Sequence, residues 1–136
     1  MDDCVFCKIV AGDLPCLKIY EDERVMAFLD VTPVSLGHSL IVPKVHAENL
    51  LETPEGDLEA IIRAVKKIGR AAKEATGADG FNLGVNTGEA AGQVVMHTHF
   101  HVMLRTEGDG LQHWPKIQPS AEEMEETAEK IRNLLD

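Results

Sequence analysis

Long apolar stretches are missing from this chain: no run approaches the roughly 20 residues that a membrane-spanning helix needs, so no membrane partner is expected. Missing too is a basic, apolar leader. The N-terminus opens acidic, with Asp2 and Asp3, and the expected location is the cytoplasm. Basic residues are outnumbered, 13 Lys and Arg against 23 Asp and Glu, for a net charge of -10. That balance argues against a general nucleic-acid partner, yet it allows a small phosphate ligand, whose site needs only local donors. Cysteines are few and odd in number (Cys4, Cys7 and Cys16), which speaks against a disulfide framework and for reduced thiols. There is no Walker A sequence, no dinucleotide GxGxxG and no GxSxG elbow, so a serine hydrolase is not supported. Repeats, low-complexity tracts and obvious linkers are also absent, and residues 1–136 are read as one domain.

What is present reads as alternating short elements. Val5-Phe6-x-x-Ile9-Val10, stopped by Gly12, predicts a short N-terminal helix. Leu17 to Tyr20 and Val25 to Leu29 flank a polar turn and predict a hairpin, closed by Asp30-Val31-Thr32-Pro33. A third strand follows at His38 to Val42, between Gly37 and Pro43. A long helix is predicted from Pro54, with Thr53 as N-cap, Leu58, Ile61, Ile62, Val65, Ile68 and Ala72 on one face, and Gly77 at its end. Phe81 to Asn86 gives a fourth strand and Met96 to Arg105 a fifth. Ser120 and Glu123 match a capping box opening a C-terminal helix to 136, with Met124, Ala128, Ile131 and Leu135 on its apolar side. The expected class is α+β, with a five-stranded, largely antiparallel sheet.

The chemistry concentrates in Met96-His97-Thr98-His99-Phe100-His101-Val102-Met103, which holds three of the six histidines. In extended chain His97, His99 and His101 share one face and Thr98, Phe100 and Val102 the other. Imidazole serves as nucleophile, acid, base or metal ligand near neutral pH. Residues two apart lie about 6.6 Å apart and residues four apart about 13 Å. One tetrahedral zinc needs its donors within roughly 3–4 Å of one another, so a single three-histidine centre is awkward. A division of labour fits better, with the central His99 attacking and its neighbours stabilising charge or moving protons. Cys4-x-x-Cys7 is the second constellation. Zinc, redox chemistry and plain packing all remain open for it, because no second ligand pair follows in the sequence.

The run His97 to Met103 resembles the His-φ-His-φ-His-φ-φ signature of the histidine triad family of nucleotide hydrolases and transferases, with Thr98 the least apolar fit. Phe6-Cys7-Lys8-Ile9, Phe28 to Pro33, Gly37 to Lys44 and Asn86 to Gln93 resemble further segments of that family in the same order, so the likeness covers about residues 4–105. The resemblance implies a homodimer whose sheets join across the interface. It also implies substrates that are nucleoside 5′-phosphates bearing a leaving group: a phosphoramidate, an aminoacyl-adenylate or a dinucleoside polyphosphate. His99 would be the nucleophile forming a nucleotidyl-histidine, with His101 and His38 near the phosphate and His97 orienting His99. Asp30 would hold the ribose, Asn86 and Gln93 would lie near ribose and phosphate, and Val5, Phe6, Ile9, Phe28, Leu29 and Val31 would wall the base. A structural zinc on Cys4, Cys7, His46 and His97 is implied as well, with no catalytic cofactor. The alternative function is a nucleotide-binding dimeric sensor or partner protein with residual hydrolysis. Val94 departs from the resemblance: it stands where the Hint branch has a serine hydroxyl near the leaving group, and a Val donates no hydrogen bond. Leu104-Arg105 resembles the Pro-Arg after the triad of Fhit-like members, with Leu for Pro.

Overall fold

The computed structural model describes residues 3–135. Its elements are α1 (Val5–Ala11), β1 (Lys18–Glu21), β2 (Val25–Leu29), β3 (Ser39–Pro43), α2 (Glu55–Thr76), β4 (Gly80–Val85), β5 (Phe100–Arg105) and α3 (Ala121–Leu134). Short 3-10 turns at Leu50–Glu52 and Glu89–Ala91 fill two connections. The strands form one open antiparallel sheet in the order β1-β2-β3-β5-β4. The α+β expectation therefore holds, with three helices and one five-stranded sheet. No helix among the described residues is long and apolar enough to cross a membrane.

At its centre the sheet is covered on both faces, which is why β2 and β3 are apolar almost without a break. Val25, Ala27, Ile41, Phe100, Val102 and Leu104 pack on Ala60, Ile61, Ala64, Val65 and Ile68 of α2. Met26, Phe28, Leu40 and Val42 face the other way, onto Phe6, Ile9 and Val10 of α1. The short α1 ends as the sequence predicts, at Gly12 with φ 86°. At Gly69 of α2 any side chain would run into the Phe81 ring of β4, so glycine is what lets helix and strand approach.

Several expectations need correction. Ile62 is 46% exposed, because the buried stripe of α2 runs through Ala60, Ile61 and Ala64 instead. Thr53 does not cap α2: its Oγ1 donates to the Asn49 carbonyl and lies 2.7 Å from Thr98 Oγ1, while Pro54 takes the N-cap position. Asp57 in the first turn is buried and pairs with Arg24 at 3.1 Å. The capping box of α3 forms as expected between Ser120 and Glu123, but no residue of α3 is buried, and Met124, Ile131 and Leu135 are more than half exposed. Asp136, within the span expected for that helix, lies outside the described residues.

The largest correction concerns the histidine run. β5 begins at Phe100, and Met96 and His97 lie in a bend. Phe100 pairs with Ile41 of β3 and with Val85, the last residue of β4. Beyond it the Thr98 N–H donates to the Ala47 carbonyl at 2.8 Å and leaves the ladder. The alternation of sides survives even so. Phe100 and Val102 join the α2 core, whereas His97 and His99 touch Phe6 of α1.

Candidate active site and candidate metal centre

α1 and the bend before β5 meet on the face of the sheet away from α2. There the Phe6 ring lies edge-on to His99 at 5.0 Å and to His97 at 5.8 Å, fixing both imidazoles against α1. His99 is 8% exposed, and its Nδ1 lies 2.7 Å from the His97 carbonyl. A carbonyl only accepts, so Nδ1 carries the proton and the lone pair of neutral His99 sits on Nε2. That atom has no hydrogen-bond partner among the described residues. The His101 ring is centred 5.1 Å from the ring of His99 and 5.1 Å from the ring of His38. His38 Nε2 lies 2.9 Å from His101 Nδ1 and 3.6 Å from Asp30 Oδ2. Asp30, at the end of β2, also accepts the Thr32 N–H and hydroxyl on Oδ1.

Burial lowers the pKa of His38, of His97 and of His101, the last to about 4, where the neighbouring His99 and His38 add to the effect. These imidazoles are neutral in the folded chain at pH 7. Unfolding exposes them and lets them take up protons below about pH 6.5, so stability falls as pH drops from there towards 4. Melting temperatures recorded between pH 7 and pH 4.5 should decline, and more shallowly in His101→Asn. An identical slope in the two proteins would reject this account.

The remaining candidate residues divide. Phe28 is buried edge-on to Phe6 at 5.6 Å, and Ile9 packs beside them. Leu29 lies on the α2 side, lining a groove with Ile19, Tyr20 and Leu36. Val5 is 38% and Val31 87% exposed. Asn86 follows β4 and lies against Gly92 of the next loop. Gln93 is buried with its amide fully engaged: Oε1 accepts the Gly88 N–H, and Nε2 donates to the Glu48 and Val95 carbonyls. It braces the loop from Gly88 to Val95, whose Val94 is 86% exposed.

Cys4, Cys7, His46 and His97 come together, with one donor atom from each within 4.8 Å of all the others. His97 Nδ1 is 3.3 Å from Cys4 Sγ and 3.5 Å from Cys7 Sγ, and His46 Nδ1 is 3.3 Å from Cys7 Sγ. The Pro43 carbonyl lies 2.9 Å from His97 Nε2, which must donate to it, so the Nδ1 lone pair turns to the thiols. Burial, with the adjacent Cys4, pushes the Cys7 thiol up to about 11, a cost that a bound cation would remove. Two sulfurs and two imidazole nitrogens at this spacing fit a closed tetrahedral metal site with no open position. Sequence reasoning missed the groups that set the tautomers, namely the carbonyls of Pro43 and His97, and the amide of Val34, which donates to His38 Nδ1 at 3.1 Å. All are backbone atoms, and residue identity carries no signal for them.

Imidazoles alternating through a bend into an interior strand, on an α+β sheet capped by a small N-terminal helix, define a histidine triad protein. The HIT domain model matches residues 11–108, and the chain belongs to that family. It is 53% identical over 110 residues to a protein named adenylylsulfatase HINT3 from Arabidopsis thaliana, covering 81% of this chain but only 56% of that longer one. It is 40% identical over 134 residues to adenosine 5'-monophosphoramidase hnt1 of Schizosaccharomyces pombe, covering 97% and 98% of the two chains. A Zn-bound histidine triad family protein from Mycobacterium smegmatis superposes with a TM-score of 0.79 at 37% identity, over 98% of this chain and 99% of that one.

Proposed function

We propose that the chain is a nucleotide hydrolase or transferase acting on the α-phosphate of nucleoside 5′-phosphate derivatives through a nucleotidyl-histidine on His99. The observation that carries this reading is the tautomer of His99, whose Nδ1–H is held by the His97 carbonyl while Nε2 keeps its lone pair beside His101. In the first step Nε2 attacks phosphorus, and the bond to the leaving group breaks with its electron pair departing on that group. Sulfate or carboxylate leaves as the anion, whereas an amine leaves with a proton taken from solvent water. In the second step water attacks phosphorus, its proton passes to solvent, and the phosphorus–nitrogen bond returns its pair to Nε2. His101 and His38 serve the phosphate oxygens, Asp30 the ribose hydroxyls, and Phe6, Ile9 and Phe28 the base. Asn86 lies near the ribose, and Gln93 supports the phosphate side by holding its loop. Relatives named adenylylsulfatase and monophosphoramidase support the substrate class.

The zinc belongs to the same proposal: Cys4, Cys7, His46 and His97 would hold it, its role is to tie α1 to the bend, and no chemical step passes through it. A homodimer is proposed on the edge position of β4, where Phe81 and Leu83 are partly exposed, and on the exposed apolar residues of α3. Residues 1–136 acting as one domain, in the cytoplasm and without nucleic acid, complete the proposal.

The test is incubation with adenylyl sulfate, adenosine phosphoramidate, an aminoacyl-adenylate and diadenosine polyphosphates, reading AMP release and trapped nucleotidyl-protein. Release of AMP from none of them would overturn the reading. Within the series, Val94→Ser should raise the phosphoramidate rate by roughly tenfold or more, by adding one hydroxyl donor near the leaving group, and leave adenylyl sulfate turnover within about twofold. Equal effects on both substrates would remove Val94 from leaving-group selection.

A further inference from the structure

Asp30, His38 and His101 form a second cluster whose potential ligand atoms lie within 4.8 Å of one another. Its composition, two imidazoles and a carboxylate, suits a divalent transition metal. The hydrogen bonds around it say otherwise. The Val34 N–H donates to His38 Nδ1 at 3.1 Å. A peptide N–H can only donate, so Nδ1 is the lone-pair nitrogen and neutral His38 carries its proton on Nε2. That Nε2 is the atom 2.9 Å from His101 Nδ1, which must therefore accept. Neutral His101 in turn carries its proton on Nε2, and this N–H has no hydrogen-bond partner among the described residues. A metal bound by His38 Nε2 and His101 Nδ1 would need lone pairs on both nitrogens and a proton on His38 Nδ1, facing the Val34 N–H.

We propose that the backbone amide of Val34 is a positioning group that locks His38, and through it His101, in the Nε2–H tautomer. One consequence is that His101 offers the site a fixed hydrogen-bond donor beside the lone pair of His99. Such a donor stabilises an anionic phosphate oxygen without giving up its proton, since a neutral imidazole that lost it would become an anion. The other consequence is that metal stays out of the cluster, although the candidate Cys₂His₂ metal site lies in the same chain. Asp30 fits this arrangement, because its carboxylate faces the proton-bearing Nε2 of His38 at 3.6 Å.

The donor role of His101 rests on the function proposed above, whereas the tautomers do not, and the experiment separates the two. Protein labelled with ¹⁵N in its histidines should give, at pH 7, spectra in which His38 and His101 each carry a proton on Nε2 and a lone pair on Nδ1. Val34 is 49% exposed and its amide bonds only to His38, so Val34→Pro deletes the donor with little loss of packing, and Val34→Ala retains it. In Val34→Pro the two tautomers of His38 should mix, kcat should fall by roughly tenfold or more with KM within about twofold, and Zn²⁺ in excess of the Cys₂His₂ site should inhibit. Val34→Ala should match the parent protein in all three. Wild-type spectra with the proton on His38 Nδ1 or His101 Nδ1 would overturn the proposal, as would unchanged nitrogen shifts in Val34→Pro. A wild-type protein that turns over no nucleotide rejects the proposed function, and the nitrogen spectra still decide the tautomers.

Discussion

Replacing His99 with alanine should lower AMP release by about a thousandfold or more on every substrate that the protein accepts, and should abolish the trapped nucleotidyl-protein. The size follows from what is removed. The proposed binding groups, Asp30 and Phe28 among them, would remain, as would the donor proposed at His101, but no other lone pair is held in that place. His99 is buried against Phe6, so the alanine leaves a cavity beside α1. The test should therefore include His99→Asn, which fills more of the space and can keep a donor near the His97 carbonyl. Both variants should bind AMP within several-fold of the parent protein while failing to turn over substrate. Equal rates for the parent and His99→Ala would reject the nucleophile assignment.

The second large effect concerns the candidate metal centre. Purified protein should contain zinc close to stoichiometrically, and Cys4→Ala with Cys7→Ala should lose it together with roughly 10 °C or more of melting temperature. The site joins three separate pieces of chain: the start of α1, the loop after β3 at His46, and the bend at His97. Without the thiols, α1 keeps only a small apolar contact, chiefly Phe6, Ile9 and Val10 on β2 and β3. Because Phe6 also packs on His99, turnover should decline along with stability even though no proposed step uses the metal. Protein free of zinc whose melting is unmoved by a chelator would sink this assignment.

Much of the fold was legible because its signals are local. Gly12 and Gly77 stop their helices in the left-handed conformation, and Ser120 with Glu123 closes the capping box. The failures are equally specific. Thr53 has the chemistry of an N-cap, but a tertiary partner, Thr98, and the Asn49 carbonyl claim its hydroxyl. Alternation of sides predicts that the strand containing the histidines starts at Met96. It starts at Phe100 because β4 ends at Val85 and Thr98 bonds to Ala47 instead. Alternation reports which side a residue faces, and it says nothing about whether a neighbouring strand is present to complete the ladder. At the site, the identities of the imidazoles and thiols were readable and their protonation states were not. Each tautomer of His38, His97 and His99 is set by a main-chain amide or carbonyl supplied by folding.

His97 stands at the junction of these two sites: its ring turns to the thiols while its carbonyl holds the proton of His99. An alanine scan would score His97 as essential and invite the conclusion that it takes part in chemistry. The backbone contact to His99 survives any side-chain substitution, so lost activity in a His97 variant reports a loosened scaffold. Separating the contributions takes metal content, melting temperature and turnover measured on the same preparation, with His46 variants as the control that removes a candidate ligand while leaving the His97 side chain in place.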